Sequence, residues 1–319
     1  MNENVIAAKD LTKKFGDFVA VDKISFEIKR GEIFGFLGPN GAGKTTTIRM
    51  LCAILDQTSG SAKVAGYDIS ENPEAIKKLI GYMSQKFSLY NDLTVSENID
   101  FFSGIYGAFG REERKIKEDM IKRAGLQDKK KILTGTLAGG WKQRLALICA
   151  LSHMPRILFL DEPTAGVDPV SRRDFWDYIY ELSKQGVTVI VTTHYLDEAE
   201  HCNTIAMMND GRIIAKGSPA ELKKLKGRGE LLEIECDNVT GAFEVLKGCP
   251  ECFDIGFSGT FLHLQVESIE RGASVITSLL QRHNISIKRI EPVEPSLEDI
   301  FVGLIEEENR KKSSPITEN

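Results

Sequence analysis

The sequence predicts an α/β domain built on a parallel sheet, followed by a smaller α+β domain with a ferredoxin-like βαββαβ order. Two observations predict the first domain. The runs IFGFL (33–37), ILFL (157–160) and VTVIV (187–191) are short and almost continuously apolar, as strands covered on both faces must be. Each lies beside a helix-like pattern, the alternation that gives parallel sheets. A third observation predicts the second domain: after Gly217-Ser218-Pro219 the texture changes. LLEIEC alternates like a strand, AFEVLKG is helical, and CFDIGF and TFLHLQV are two strands joined at Ser258-Gly259. SIERGASVITSLLQRH is a longer helix and ISIKRI a final strand, which completes the βαββαβ series.

The domain limits follow. Residues 1–225 form the first domain, with a polar, helix-rich subdomain at about 86–155 that contains REERKIKEDMIKRAG. Residues 228–305 form the second, expected to regulate or to support dimerisation. SLEDIFVGLIEE is a last helix after Pro295, and 306–319 is expected to be a disordered polar tail.

Composition excludes several classes. At 42% hydrophobic and 27% charged residues the chain has an ordinary globular balance. The longest apolar run, LALICAL (145–151), is far short of the roughly 18 residues of a membrane span. The start, MNENVIAAKD, has neither the basic residues nor the apolar stretch of a signal peptide. A net charge of −5 argues against a general nucleic-acid binder. Four of the six cysteines sit in apolar or helical contexts and read as small buried hydrophobes. Cys249 and Cys252 form a lone CxxC without the second pair or histidines of a zinc site, which points to a reducing compartment.

GPNGAGKT, Gly38 to Thr45, carries the strongest chemical signal. It fits G-x-x-x-x-G-K-[ST] and lies between the strand IFGFL and a helix-like TTIRMLCAI. Glycines let backbone N–H groups converge on phosphate oxygens. Lys44 supplies a compact positive charge for the β- and γ-phosphates, and the Thr45 hydroxyl is suited to Mg²⁺. A nucleotide-hydrolysing site needs a second metal anchor and a means to activate water. ILFLDEP delivers Asp161 and Glu162 to the carboxyl end of a parallel strand: Asp161 for Mg²⁺, Glu162 for the attacking water.

Taken in order, GPNGAGKTT, MSQ, LAGGW, ILFLDEP, AGVD and TTH resemble the ATP-binding subunits of ABC transporters over about residues 4–225. GYDI, NDLTVSENI and PSLEDIF are most similar to the ATPases of ABC-2 type, multidrug-type exporters, several of which carry a small C-terminal domain. The resemblance implies a P-loop ABC ATPase fold, ATP and Mg²⁺ as ligands, and a phosphate cradle of Gly38, Asn40, Gly41, Gly43, Lys44, Thr45 and Thr46. It implies that Phe15 stacks on adenine and that Gln85 touches Mg²⁺ and the attacking water and links the site to a membrane subunit. Asp168 would lie at a dimer interface, and His194 would contact the γ-phosphate.

LAGGW stands where the family has LSGGQ. By resemblance Ala138, Gly139 and Gly140 face the γ-phosphate held by a second subunit, so two chains close each site head to tail. Ala138 lacks a hydroxyl whose charge-assisted bond to phosphate is worth roughly 1.5–3 kcal/mol. Trp141 cannot mimic glutamine's hydrogen bonding; it either stacks near the opposing nucleotide sugar or packs within its own subdomain.

The expected protein is thus the ATPase subunit of an exporter, paired with a second ATPase subunit and a separate integral membrane permease. A homodimer is favoured and a heterodimer is the alternative. Its place would be peripheral, on the cytoplasmic face of the membrane. KFSLYNDLTV, with Phe87, Leu89 and Tyr90, is the expected docking edge. Two rival readings are a soluble ABC ATPase acting on DNA or ribosomes and a non-catalytic ATP-binding regulator. The chain has no tandem cassette or basic arm for the first, and the intact Glu162 and His194 argue against the second.

Overall fold

The structure is a computed structural model that describes residues 4–86, 88–107, 110–225 and 229–313, without the side chains of 111–113 and 309–313. The chain divides into two compact units, Met1–Ser218 and Pro219–Asn319.

The first unit is organised around a six-stranded sheet of order β10-β9-β3-β8-β7-β6. Its strands are β3 (Ile33–Leu37), β6 (Ile80–Met83), β7 (Ile157–Asp161), β8 (Thr188–Thr193), β9 (Thr204–Asn209) and β10 (Arg212–Gly217). All neighbours are parallel except β9 and β10. Every residue of β3, β7 and β8 is buried, which is why those runs are apolar throughout. A four-stranded antiparallel sheet, β2-β1-β4-β5, was not expected. It comprises β1 (Asn4–Phe15), β2 (Phe18–Lys29), β4 (Ser59–Val64) and β5 (Tyr67–Asp68). Phe26 of β2 packs on Phe34 and Phe36 of β3, with ring centroids 5.8 and 5.2 Å apart, joining the two sheets in one core.

Helix α1 (Lys44–Leu51) follows β3, and α2 (Pro73–Leu79) precedes β6. The helical subdomain holds α3 (Val95–Ile105), α4 (Arg111–Arg123) and α5 (Gly139–Leu151). Thr94 and Glu97 form a reciprocal capping box that starts α3. Val95, Ile99, Ile121, Leu126, Leu145 and Ile148 make the subdomain's own core. Buried Asn98 fixes the loop after β6: its amide donates to the Tyr90 carbonyl and the Thr134 hydroxyl, both at 2.9 Å. Helices α6 (Pro169–Lys184) and α7 (Leu196–Ala199) follow β7 and β8.

The second unit has α8 (Pro219–Lys223), β11 (Glu230–Cys236), α9 (Val239–Leu246), β12 (Cys252–Ser258), β13 (Phe261–Val266), α10 (Ile269–Arg282), β14 (Ile287–Pro292) and α11 (Leu297–Ser313). The antiparallel order β12-β13-β11-β14 is the ferredoxin-like arrangement. Leu232, Ile234, Leu262 and Leu264 face Ala242, Leu246, Ile276 and Leu280 of α9 and α10 in its core. Two expectations need correction. The division falls at Ser218/Pro219 rather than near 225, because α8 packs on α11. The last helix continues to Ser313, so the polar stretch from 306 is largely helical; Leu297 and Ile300 anchor its first turn. Residues 314–319 of the expected tail lie outside the described residues.

Candidate functional site

The loop Gly38–Gly43 joins the buried end of β3 to α1. Gly43 has φ +99°, and a Cβ there would lie 2.5 Å from the Ala20 carbonyl oxygen; one on Gly38 would lie 2.3 Å from that of Met208. No other residue follows this path, which aims backbone N–H groups and the start of α1 into one concavity. Lys44, only 4% exposed, donates to the carbonyls of Gly38 (2.7 Å) and Pro39 (3.0 Å) and lies 3.7 Å from Glu162 Oε1. Burial lowers the Lys44 pKa, and the nearby Glu162 and Asp161 oppose that shift.

Strand β7 carries Asp161 to the same place. Asp161 Oδ1 accepts from Thr45 Oγ1 at 2.8 Å and from Thr192 Oγ1 at 2.7 Å. Those bonds tie α1, β7 and β8 together at one carboxylate. Glu162, at the turn beyond β7, has φ +48°, a left-handed conformation that costs a non-glycine residue of order 1–3 kcal/mol. Its N–H is held by Thr192, through the hydroxyl at 3.0 Å and the carbonyl at 3.1 Å. Its carboxylate receives Gln85 Nε2 on Oε2 at 2.8 Å, and His194 Nδ1 lies 3.4 Å from the same oxygen without forming a hydrogen bond. Gln85, Lys44, Glu162 and His194 thus converge from four separate segments on one point.

Phe15 is 50% exposed and lines the same depression as Asn40, Lys44 and Thr46. Phe18, 64% exposed, stands beside it and was missed by sequence reasoning. The signal was available: two phenylalanines flanking the Gly16-Asp17 turn between β1 and β2. Thr192, quoted only as part of TTH, was likewise given no role, although it holds both Asp161 and Glu162.

The glycine pair of LAGGW divides in function. Ala138 is the N-cap of α5 and offers no side-chain cap. A Cβ on Gly139 would meet nothing within 4 Å, whereas one on Gly140 would lie 2.9 Å from Ser171 Oγ. Gly140 is needed for packing against the start of α6, and Gly139 faces open space. Trp141 packs within its own subdomain: it lies against the core there, with Lys129 Nζ 4.5 Å and the Arg144 guanidinium 5.0 Å from its rings. This is the packing expected of it within its own subdomain. Asp168 is the N-cap of α6 and accepts from Val170 N (3.1 Å) and Ser171 N (2.9 Å). Phe87 lies outside the described residues; Leu89 lines an apolar groove beside Ser84, and Tyr90 packs on Phe101 and Phe102.

A glycine loop opening a helix, with a strand-end carboxylate pair brought to its mouth across an intervening strand, defines a P-loop nucleotide-binding cassette. The chain belongs to the ABC transporter family of ATP-binding proteins. The family description "ABC transporter" matches residues 21–165, and "ATP-binding protein DrrA1-3-like, C-terminal domain" matches 217–305. Residues 140–196 also match "AAA domain, putative AbiEii toxin, Type IV TA system".

Among curated relatives, the probable multidrug ABC transporter ATP-binding protein YbhF of Escherichia coli is 53% identical over 228 residues. That match covers 72% of this chain and 39% of YbhF, so the chain spans well under half of that relative's length. The linearmycin resistance ATP-binding protein LnrL of Bacillus subtilis is 34% identical, with 94% of this chain and 98% of LnrL covered. The daunorubicin/doxorubicin resistance ATP-binding protein DrrA of Streptomyces peucetius is 32% identical over 94% of this chain and 92% of DrrA. Among solved structures, cbiO1 from Clostridium perfringens is 28% identical with a TM-score of 0.64, covering 78% of this chain and 96% of that one. The dimeric post-hydrolysis cassette MJ0796, bound to ADP and Pi, is 27% identical with a TM-score of 0.61 over 67% of this chain and 98% of that one.

Proposed function

We propose that this chain is the ATP-hydrolysing subunit of an exporter, working as a pair of cassettes that energise a separate membrane permease. The observation that carries the reading is the convergence of Gln85, Lys44 and His194 on Glu162. A carboxylate held in a left-handed turn, with a hydrogen-bonding glutamine and a histidine at one oxygen, is poised to take a proton from water. Lys44 and the N–H groups of Gly41 to Thr45 hold the β- and γ-phosphates, while Phe15 and Phe18 offer apolar faces to the base. The hard oxygens of Thr45 and Asp161, with Gln85, fit Mg²⁺, which would supply charge neutralisation at the phosphates. Lys44 offsets charge that develops as the γ-phosphate leaves, and His194 orients it.

Ala138, Gly139 and Gly140 would act on the phosphate of a second copy. The open face of Gly139 and the exposed N-terminus of the 13-residue α5 support that role. A homodimer is the reading adopted here, with Asp168 at the interface. An apolar groove of ≈ 460 Å³ lined by Tyr82, Ser84, Leu89 and Phe102 adjoins Gln85 and suits a docking segment of the permease. Among the described residues no helix is long and apolar enough to cross a membrane. We assign the second unit a regulatory or dimer-supporting role. Relatives named for resistance to linearmycin and to daunorubicin/doxorubicin support a role in drug export.

The test is co-expression of the chain with candidate permeases. Co-purification of a membrane protein that stimulates Mg²⁺-dependent ATP hydrolysis is expected. Hydrolysis with no membrane partner and no effect of Glu162→Gln would overturn the reading.

A further inference from the structure

Four residues beyond His194, the carboxylate of Glu198 is buried to 1% exposure, though nothing in its role as a surface-helix residue of α7 requires burial. Three segments meet on it. Thr193 Oγ1, at the end of β8, donates to Oε2 at 2.8 Å. Thr164 Oγ1, two residues past Glu162, donates to Oε1. Arg172 of α6 places Nε 3.4 Å from the same Oε1. Arg172 Nε supplies charge without a hydrogen bond, and the same guanidinium donates through Nη1 to Asp197 Oδ2 at 3.1 Å, so the two threonine hydroxyls carry the hydrogen bonding of the buried carboxylate. A buried carboxylate without such partners is costly, which ties the three segments to one arrangement.

The Arg172 side chain reaches further. Its guanidinium lies 4.9 Å from the centre of the Tyr195 ring, and that ring lies 4.1 Å from the ring of His194. The Arg172 backbone N–H donates to the Asp168 carbonyl at 3.0 Å. A continuous chain of contacts therefore runs from the N-cap of α6 through Arg172 and Glu198 to the strand end that presents His194.

We propose that Glu198 is a positioning residue for hydrolysis. It brackets the Glu162–Thr164 turn, the His194 strand end and the start of α6, so that movement of α6 is felt at His194. The proposal rests on the assignment of Glu162 and His194 to hydrolysis. The contacts of Glu198 and Arg172 lie outside the phosphate loop, so their loss should alter the turnover step while leaving binding.

The test uses the full chain with Glu198→Ala, Glu198→Gln and Arg172→Ala; Glu198→Gln keeps the side-chain volume and removes the buried charge that Arg172 offsets, so it is the variant best tolerated by the fold. In Glu198→Ala and Arg172→Ala, kcat for ATP is expected to fall about tenfold to a hundredfold while KM stays within about threefold. Glu198→Gln, which retains an acceptor for one threonine, should be intermediate. Amide hydrogen exchange without nucleotide should accelerate at residues 168–172 and 192–196 and stay unchanged at 38–45. The proposal is overturned by wild-type exchange at those segments in both alanine variants. It is also overturned if exchange rises throughout the first unit together with a lowered Tm and weakened ATP binding. If the wild type itself hydrolyses no ATP, the assignment of Glu162 fails, and the exchange measurement alone decides the bracket.

Discussion

Gln85 Nε2 donates to Glu162 Oε2 at 2.8 Å, so the residue that follows β6 directly fixes the carboxylate that follows β7. Gln85 is exposed and Glu162 is buried, which makes their bond a means for an outer surface to set the direction of an inner base. Glu162→Gln should keep ATP binding, since Lys44, Thr45 and Asp161 remain, and reduce turnover by about a hundredfold or more. ATP-bound dimers should then accumulate in gel filtration. Gln85→Ala should lower kcat less and weaken stimulation by a permease more. Equal turnover in wild type and Glu162→Gln would remove Glu162 from the chemistry.

Lys44→Ala acts differently. It removes the ammonium that holds the loop carbonyls of Gly38 and Pro39 and leaves Glu162 and Asp161 facing phosphate without a counter-charge. ATP affinity measured by calorimetry should fall about tenfold or more, a loss of about 1.4 kcal/mol for each factor of ten. Retained affinity would place the phosphates elsewhere.

The segment at the start of α5 permits a separation of stability from assembly. Ala138→Ser supplies the missing N-cap acceptor, so Tm should rise without nucleotide, by the equivalent of about 1 kcal/mol. Gly139→Ala meets no neighbour within 4 Å and should also be neutral or stabilising in the single chain. If Gly139 approaches a second copy's phosphate, the same substitution should abolish ATP-driven dimerisation, and Ala138→Asp should do so by repulsion. Dimerisation at wild-type level in both would show that this segment does not act in trans.

Much of this site is legible in the sequence because its parts are contiguous. GPNGAGKT, ILFLDEP and TTH each keep their geometry within one strand and its following turn, and β3, β7 and β8 are apolar on both faces. Their mutual placement is not contiguous: the Thr45–Asp161 bond spans 116 residues and depends on sheet order. The antiparallel sheet was missed although ISFEIK in β2 alternates cleanly and offered the signal; only β1, whose pairing with β2 shifts register repeatedly, blurs the period of two. Glu198 escaped because an acidic residue on a short polar helix gives no hint of burial. The packing of Trp141 within its own subdomain depends on Gly125, Lys129 and Arg144, which only the fold brings beside it.

Acid should reveal the cap on α6. The Ser171 backbone N–H, then its hydroxyl, and the Val170 N–H hold the Asp168 carboxyl below its ordinary range. A depressed folded pKa gives stability that is present above the unfolded value of about 3.9 and is lost as pH falls through the folded one. Asp168→Asn keeps an acceptor but not the charge. Wild type should therefore have the higher Tm at pH 7, with the gap closing below about pH 4. A gap constant down to pH 3 would mean that the charge contributes nothing there.

The CxxC pair should be chemically quiet. Burial, and then the neighbouring Cys249, push the Cys252 thiol up to about 12. At pH 8 that thiol is almost wholly protonated, so iodoacetamide should label Cys252 far more slowly in the native chain than in urea. Rapid native labelling would contradict the raised thiol pKa of this half-buried residue.

The central sheet also dictates an order of events at the ribosome. Strand β8 lies between β3 and β7 but is synthesised after both. A nascent chain that has emerged only through Glu162 carries the phosphate loop and both carboxylates on strands that have no shared edge. Until Thr188–Thr193 emerges, the facing edges of β3 and β7 stay unpaired and their apolar faces incompletely covered. Asp161 acquires its Thr192 partner only then. Nucleotide can therefore stabilise the finished cassette by mass action but has no complete site to bind before β8 emerges, when the exposed strands most need protection.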